Sequence, residues 1–293
     1  MKSLFLLTIS VVFIYSNLAF SQNFDNVTIE TTKLSDHVYM LVGAGGNIGV
    51  SAGDDGVFVI DDQFAPLTPK IEAAIRRISD KPIKFLANTH YHHDHTGGNA
   101  NMQELGATII AHDNVRHRLE NSNSEADETS KQGLPIITFN DRLSLYINGE
   151  KVSIFHAHHA HTDGDSFLYF NESNVLHTGD VYFNGRYPYI DLGSGGSVNG
   201  YIEAVKMGLN AINDDTKIIP GHGNLSNKAE YQAFLNMLED LKSIIMAEIN
   251  KGKTEDEVAA DQSLTKTYDD LGYGWNFINS EKIKRTFYKS LKE

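Results

Sequence analysis

The run Thr89-His90-Tyr91-His92-His93-Asp94-His95-Thr96-Gly97-Gly98 concentrates metal-binding chemistry, with His90, His92, Asp94 and His95 inside six positions. In an extended segment alternate side chains share a face, so His90, His92 and Asp94 are expected to point one way. His95 falls where the chain turns into a helix. Three imidazoles and a carboxylate match what divalent zinc takes in hydrolytic sites, and the glycines let the loop curl tightly. A histidine-rich surface tract would have neither this register nor a preceding strand. Three further sites each close an apolar strand: His161-Thr162-Asp163-Gly164-Asp165, His177-Thr178-Gly179-Asp180 and Pro220-Gly221-His222-Gly223. Donors gathered from several strand ends onto one rim are how a rigid scaffold holds a metal. His156, His158 and His159, just before His161, could ligate on residue type alone.

The elements that must position these residues follow from periodicity. Val27–Thr31, His37–Val42, Ile48–Ser51 and Val57–Ile60 read as an antiparallel meander, with glycine and Asp-Asp-Gly turns between them. A helix from Thr68-Pro69 carries Ile71, Ile75 and Ile78 on one face. The strand 83–87, the histidine loop, a helix from Gly98, the strand 108–111 and a helix near His112 come next. From Ile136 the chain returns to strands at 143–147, 152–156, 166–170 and 174–176. A helix through Ile202, Val205 and Leu209 and the strand 217–219 follow. The C-terminal part is helical, with a capping box at Thr254 and Glu257 and a last helix over 280–291. Two stretches share one plan without a linker, which predicts a single α/β domain of two packed sheets with helices outside. The polar segment 121–133 reads as a mobile surface loop.

Composition narrows the function. Among 293 residues there is no cysteine, which excludes disulfides, cysteine-ligated zinc, iron–sulfur clusters and thiol nucleophiles. A formal net charge of -13 argues against nucleic acid as a partner, since binding it relies on basic patches. Lys2, the apolar run from Leu4 and the Ala19-x-Ser21 spacing predict a signal peptide over 1–21, cleaved before Gln22. The expected product is exported, periplasmic or secreted, with no stable membrane anchor.

The ordered set H-x-H-x-D-H, H-T-x-G-D, G-D and P-G-H-G resembles the metallo-β-lactamase superfamily over about residues 33–225. The resemblance implies a four-layer αββα sandwich (22–225) with a helical C-terminal extension (226–293) packed on the same domain. It implies two zinc ions per chain, the first held by His90, His92 and His161, the second by Asp94, His95 and His222, with Asp180 bridging. His161 is preferred over its neighbours because it occupies the H-T-x-G-D position. The implied chemistry is hydrolysis, in which a metal-bridging hydroxide oriented by the catalytic Asp94 attacks the carbonyl of a β-lactam, lactone or thioester. Asp180 looks closer to the thioesterase and lactonase branches: one β-lactamase subclass has a cysteine there, and another usually lacks a bridging carboxylate. The alternatives are a mononuclear iron enzyme of the persulfide-dioxygenase type and a non-catalytic zinc-binding protein.

The partner is expected to be a small molecule with a hydrolysable acyl bond; the oligomeric state is left open. The stretch Val181–Tyr189 should overhang the metals, making Tyr182, Asn184, Arg186 and Tyr189 candidate substrate-binding residues. Asn184 or a tyrosine hydroxyl would assist an oxyanion and Arg186 would meet a carboxylate, with Gly43–Asn47 and Phe64 opposite. His93 should face away, His158 and His159 should lie at the rim, His177 should buttress the Gly-Asp turn, and His112 and His117 should sit on a helix surface. One of Asp61 and Asp62 either hydrogen-bonds the histidine loop or is a plain turn carboxylate. Trp275 and Phe277 are expected to pack on the core.

Overall fold

The computed structural model describes residues 24–122 and 131–292; the expected signal peptide and most of the polar segment 121–133 lie outside the described residues. The first sheet runs in chain order through β1 (Glu30–Lys33), β2 (Val38–Val42), β3 (Ile48–Gly53), β4 (Gly56–Ile60), β5 (Ile83–Ala87), β6 (Thr108–His112) and β7 (Ile137–Phe139). β1 to β4 form the expected antiparallel meander, and β4 to β7 are parallel. The parallel half is crossed over by α1 (Thr68–Ile78), the single turn α2 (His93–Thr96), α3 (Asn99–Glu104) and α4 (Asp113–Ser122). The second sheet is ordered β13-β12-β11-β10-β9-β8, built from β8 (Arg142–Ile147), β9 (Glu150–His156), β10 (Ser166–Phe170), β11 (Val175–His177), β12 (Lys217–Ile219) and β13 (Ser226–Asn227). Here only β11 and β12 pair in parallel, with α5 (Val198–Ala211) as the crossover between them.

Three apolar cores separate four layers, giving the expected αββα sandwich. Between the sheets lie Val38, Met40, Phe58, Ile60, Ile154, Leu168 and Ile219. Outside the first sheet, Ile71, Ala74 and Ile75 of α1 and Met102 of α3 cover Val50, Val59 and Leu86. Outside the second sheet, Phe155, Phe167 and Ile218 are covered by α5, α6 (Lys228–Asn250) and α9 (Ser280–Lys292). The smaller helices α7 (Glu255–Ala260) and α8 (Lys266–Asp270) complete that layer, and α7 carries the capping box of Thr254 and Glu257. No helix among the described residues is long and apolar enough to cross a membrane.

Three expectations shift. The first strand begins at Glu30, because Lys70 Nζ gathers the carbonyls of Phe24, Asp25 and Val27 at 2.9, 2.7 and 2.8 Å and turns that backbone away from the ladder. The short strand after Ile136 joins the first sheet, parallel to β6, before the chain crosses over. His112 is the buried last residue of β6 and stacks on His156, ring centroids 3.9 Å apart, so it is not a helix-surface residue.

That stacked pair makes stability pH-dependent. His156 Nδ1 donates to the Asp165 carbonyl at 2.8 Å. Burial, reinforced by His112 and His158, pushes the imidazole down to about 4 despite that bond. Between this value and the unfolded one near 6.5 the unfolded chain binds more protons. Stability is therefore full above about pH 6.5 and is lost as pH falls toward 4, by about 2 kcal/mol after allowing for partial exposure. Melting curves of wild type and His156→Gln across that window should converge at low pH if the loss comes from this group.

Candidate metal centre

Every donor sits where a strand ends. β5 delivers Asn88 to His92, β9 and β10 flank His161, β11 delivers Asp180 and β12 delivers His222. The rigid ladders therefore fix the backbone at each position, and the loops need to add only orientation. The structure brings the seven residues into two touching groups, His90, His92, His161 and Asp180 in one and Asp94, His95 and His222 in the other, with donor atoms in each group within 4.8 Å of one another.

One sequence expectation changes in detail. Asp94 does not share a face with His90 and His92, because helical turn α2 begins at His93 and swings Asp94 to His95 and His222. Alternation ends where the strand-like backbone ends.

Hydrogen bonds on the far side of each ring decide which nitrogen faces inward. His161 Nδ1 lies 2.8 Å from the Tyr189 carbonyl, which can only accept. His92 Nε2 lies 3.1 Å from Asp191 Oδ2. Thr89 Oγ1 donates to Asp61 Oδ2 at 2.8 Å, so it is free to accept from His90 Nδ1 at 3.1 Å. The protons are thus outside, and the lone pairs of His90 Nε2, His92 Nδ1 and His161 Nε2 converge at separations of 3.1 and 2.8 Å around His92. Burial holds His90 well below the usual imidazole range and His161 down to about 4, so both are neutral. Lone pairs aimed at one another in this way repel unless a cation sits among them.

The second group repeats the logic. His95 Nδ1 is bonded to Asp61 Oδ2 at 2.8 Å, and its buried Nε2 faces Asp180 Oδ1 at 3.1 Å without a hydrogen-bond partner. Asp180 Oδ1 is likewise buried and unpartnered. Asp180 divides its oxygens: Oδ2 lies 3.8 and 3.6 Å from His90 and His161, while Oδ1 lies 3.1 and 3.4 Å from His95 and His222. Asp94 Oδ2 lies 3.3 Å from His222 Nε2 and 3.7 Å from His95 Nε2. Two groups of borderline-hard donors sharing one carboxylate fit a pair of divalent metals.

The match to a family description now decides the relationship. Residues 41–222, more than half of the chain, match the model described as the Metallo-beta-lactamase superfamily. The chain belongs to the metallo-β-lactamase superfamily. Among curated superfamily relatives, a hydroxyacylglutathione hydrolase of Polaromonas sp. strain JS666 is 29% identical over 172 residues, 57% of this chain and 58% of that one. A second hydroxyacylglutathione hydrolase, from Pelagibacter ubique, is 30% identical over 154 residues, 50% of this chain and 56% of that one. The chain thus spans a little over half the length of these relatives. A solved metallo-beta-lactamase from Pontibacter korlensis shares the fold at TM-score 0.63 and 18% identity, over 72% of this chain and 99% of that one.

Around this superfamily centre the remaining candidates sort by their contacts. Both Asp61 and Asp62 bind the histidine loop: Asp61 accepts from Thr89 N at 2.7 Å and Asp62 from Gly98 N at 2.9 Å. His177 buttresses the turn, accepting from Gly179 N at 3.2 Å and reaching the Asn47 carbonyl at 3.1 Å. Asn47 in turn stitches the first sheet to the His222 loop through the Pro220 and Gly223 carbonyls, both at 2.9 Å. His93 is exposed and edges onto Phe64, while His158 and His159 are exposed outside both groups.

Tyr182 does not line the site. It is buried against Tyr231 and Phe234, and its hydroxyl bonds to Asn184 and Ser226. Asn184 is turned toward the Asn224 carbonyl at 3.2 Å, away from the role of an oxyanion donor. Arg186 lies over the Trp275 ring at 5.5 Å. Tyr189 alone of the four meets the donors, stacking on His92 at 5.7 Å and edging His161 at 5.5 Å.

Sequence reasoning missed Asp191, which lies 99 positions from the histidine it holds. Asp191 also accepts from Tyr91 Oη at 3.0 Å and from Ser194 N at 3.2 Å, so its carboxylate is fixed before any metal arrives. Removing such an orienting partner typically weakens metal affinity about 10–100-fold. Asp191→Ala is expected to do so in a chelator-competition titration, and unchanged affinity would show that His92 needs no such partner.

Proposed function

We propose that this chain is an exported hydrolase that holds two zinc ions and cleaves an acyl bond, favouring thioesters or lactones over β-lactams. The observation that carries the reading is Asp180, which offers one oxygen to each donor group. The converging lone pairs and the unpartnered His95 Nε2 and Asp180 Oδ1 fit such a pair. His90, His92 and His161 would hold one zinc, Asp94, His95 and His222 the other, and Asp180 both. When bound, two such ions acidify a water and polarise a carbonyl oxygen.

The chain's own residues supply the rest. Asp94, whose side chain is 28% exposed, is the most accessible carboxylate of the centre and is placed to orient the attacking water and take its proton. Asp61 keeps the His95 proton outside, leaving Nε2 as a donor. The relatives named hydroxyacylglutathione hydrolase support acyl-bond hydrolysis. The Ala19-x-Ser21 spacing supports export.

The test is a comparison of steady-state rates on the zinc-loaded chain from Gln22 onward, with metal content measured alongside and His92→Ala as blank. A thioester or lactone should reach a kcat/KM of about 10⁴ M⁻¹s⁻¹, well above a chromogenic cephalosporin or a carbapenem. The reverse order would make it a β-lactamase. One iron per chain with a visible spectrum, or two zincs without turnover, would replace the hydrolase reading.

A further inference from the structure

Four aromatic rings connect the two donor groups across the mouth of the centre. From His92 and His161 the series passes to Tyr189, then to Phe277 at 5.0 Å, Trp275 at 5.5 Å and Phe183 at 6.0 Å. It ends on His222, whose ring stacks on Phe183 at 5.1 Å. Trp275 and Phe277 lie between α8 and α9, in the C-terminal helical part; Trp275 packs against the core as expected, whereas Phe277 does not. Phe277 is 48% exposed although it sits one ring away from a histidine ligand's neighbour.

The segment is held in place before any ligand arrives. Tyr187 N donates to the Tyr273 carbonyl at 2.8 Å, and Trp275 Nε1 donates to the Tyr187 carbonyl at 2.9 Å. The Arg186 guanidinium lies over the Trp275 ring. Tyr189, part-buried, stands at the end of the series nearest the metal donors, its ring against those of His92 and His161. A fixed, mainly apolar wall beside a few placed polar groups is the usual build of a small-molecule subsite. Flat rings lose little freedom on binding, and aromatic pairs gain beyond simple burial.

We propose that Tyr189, Trp275 and Phe277 form an acyl-group subsite that selects substrates carrying an aryl or extended alkyl group on the scissile carbonyl. This inference rests on the hydrolase reading above and names its substrate class. The faces of these rings are apolar, so a neutral acyl group loses less hydration on them than an anionic one, and the Arg186 guanidinium is already taken up over the Trp275 ring.

The test uses N-acetylcysteamine thioesters, which keep one leaving group while the acyl part changes from acetyl to hexanoyl to phenylacetyl. Wild type should prefer phenylacetyl over acetyl at least tenfold in kcat/KM, mainly through KM. In Phe277→Ala, and further in the Trp275→Ala/Phe277→Ala double variant, that ratio should collapse to within threefold of one. A ratio near one in wild type, or a ratio retained in Phe277→Ala, would overturn the proposal.

Trp275 is the single tryptophan of the chain, so its emission provides a readout independent of turnover. Phenylacetamide should shift or quench it where acetamide does not; equal responses would count against the subsite. If neither a thioester nor a lactone turns over, the hydrolase reading fails, and this titration still decides whether the wall binds an aryl group.

Discussion

Asp180→Asn is expected to lower kcat/KM on the best acyl substrate on the order of 10³-fold, about 4 kcal/mol of barrier, and to reduce metal content below that of wild type. The two carboxylate oxygens face different donor groups, Oδ2 toward His90 and His161 and Oδ1 toward His95 and His222. An amide has one oxygen and no charge, so it can serve one group and presents N–H to the other. Burial alone would raise this carboxyl, yet His222, His95 and His90 hold it well below the ordinary carboxylate range. The surrounding loop does not depend on the charge: Tyr201 Oη donates to the Asp180 backbone carbonyl at 2.8 Å whichever side chain is present. Melting the metal-free proteins therefore separates loss of binding from loss of folding. Full metal content with normal turnover in the variant would remove Asp180 from the centre.

Gly221→Ala is the second large effect, and it needs no change of charge. A Cβ at this position would lie 2.1 Å from Asp180 Oδ1 and 2.6 Å from the Gly179 carbonyl group. The backbone side of that clash is costly to relieve, because Gly221 N donates to the carbonyls of Gly179 at 2.8 Å and Tyr182 at 3.1 Å. Both must give way: the Asp180 carboxylate moves out of line with both donor groups, and the Gly179 turn that carries it is pushed off as well. Overpacking of this kind costs about 1–3 kcal/mol of stability, and the displaced carboxylate should reduce activity about 100-fold, some 2.7 kcal/mol of barrier. Gly193→Ala is the control, since its Cβ would meet nothing closer than Asp191 Oδ1 at 3.4 Å. Equal melting and metal content in the two variants would contradict the packing argument.

These effects indicate which features a single chain discloses. The seven donors are legible because they fall at the ends of apolar strands, in short runs with few competing residues. The four layers are legible because strand and helix periods alternate cleanly. Where backbone conformation changes within a motif, inference fails: alternation assigned Asp94 to the face of His90, and the turn starting at His93 overrides it. Pocket residues are harder still. Tyr182 and Tyr189 are both tyrosines of one loop, yet one is buried against α6 and the other faces His92, a difference set by packing partners far away in sequence. Asp191 and Trp275 act on residues roughly a hundred or fifty positions off, and no local pattern marks them.

The donors also come from loops of both sheets, tied across by Asn47. The pair of sites is therefore present only when the two halves are closed on each other, and occupancy is a term in the folding equilibrium. Each tenfold rise in free metal above the dissociation constant adds about 1.4 kcal/mol to the native state. The lifetime of the folded chain would then follow the metal buffering of its surroundings. A metal-starved compartment would thus remove activity and shorten the life of the chain together, since the emptied protein is also the one more open to proteolysis.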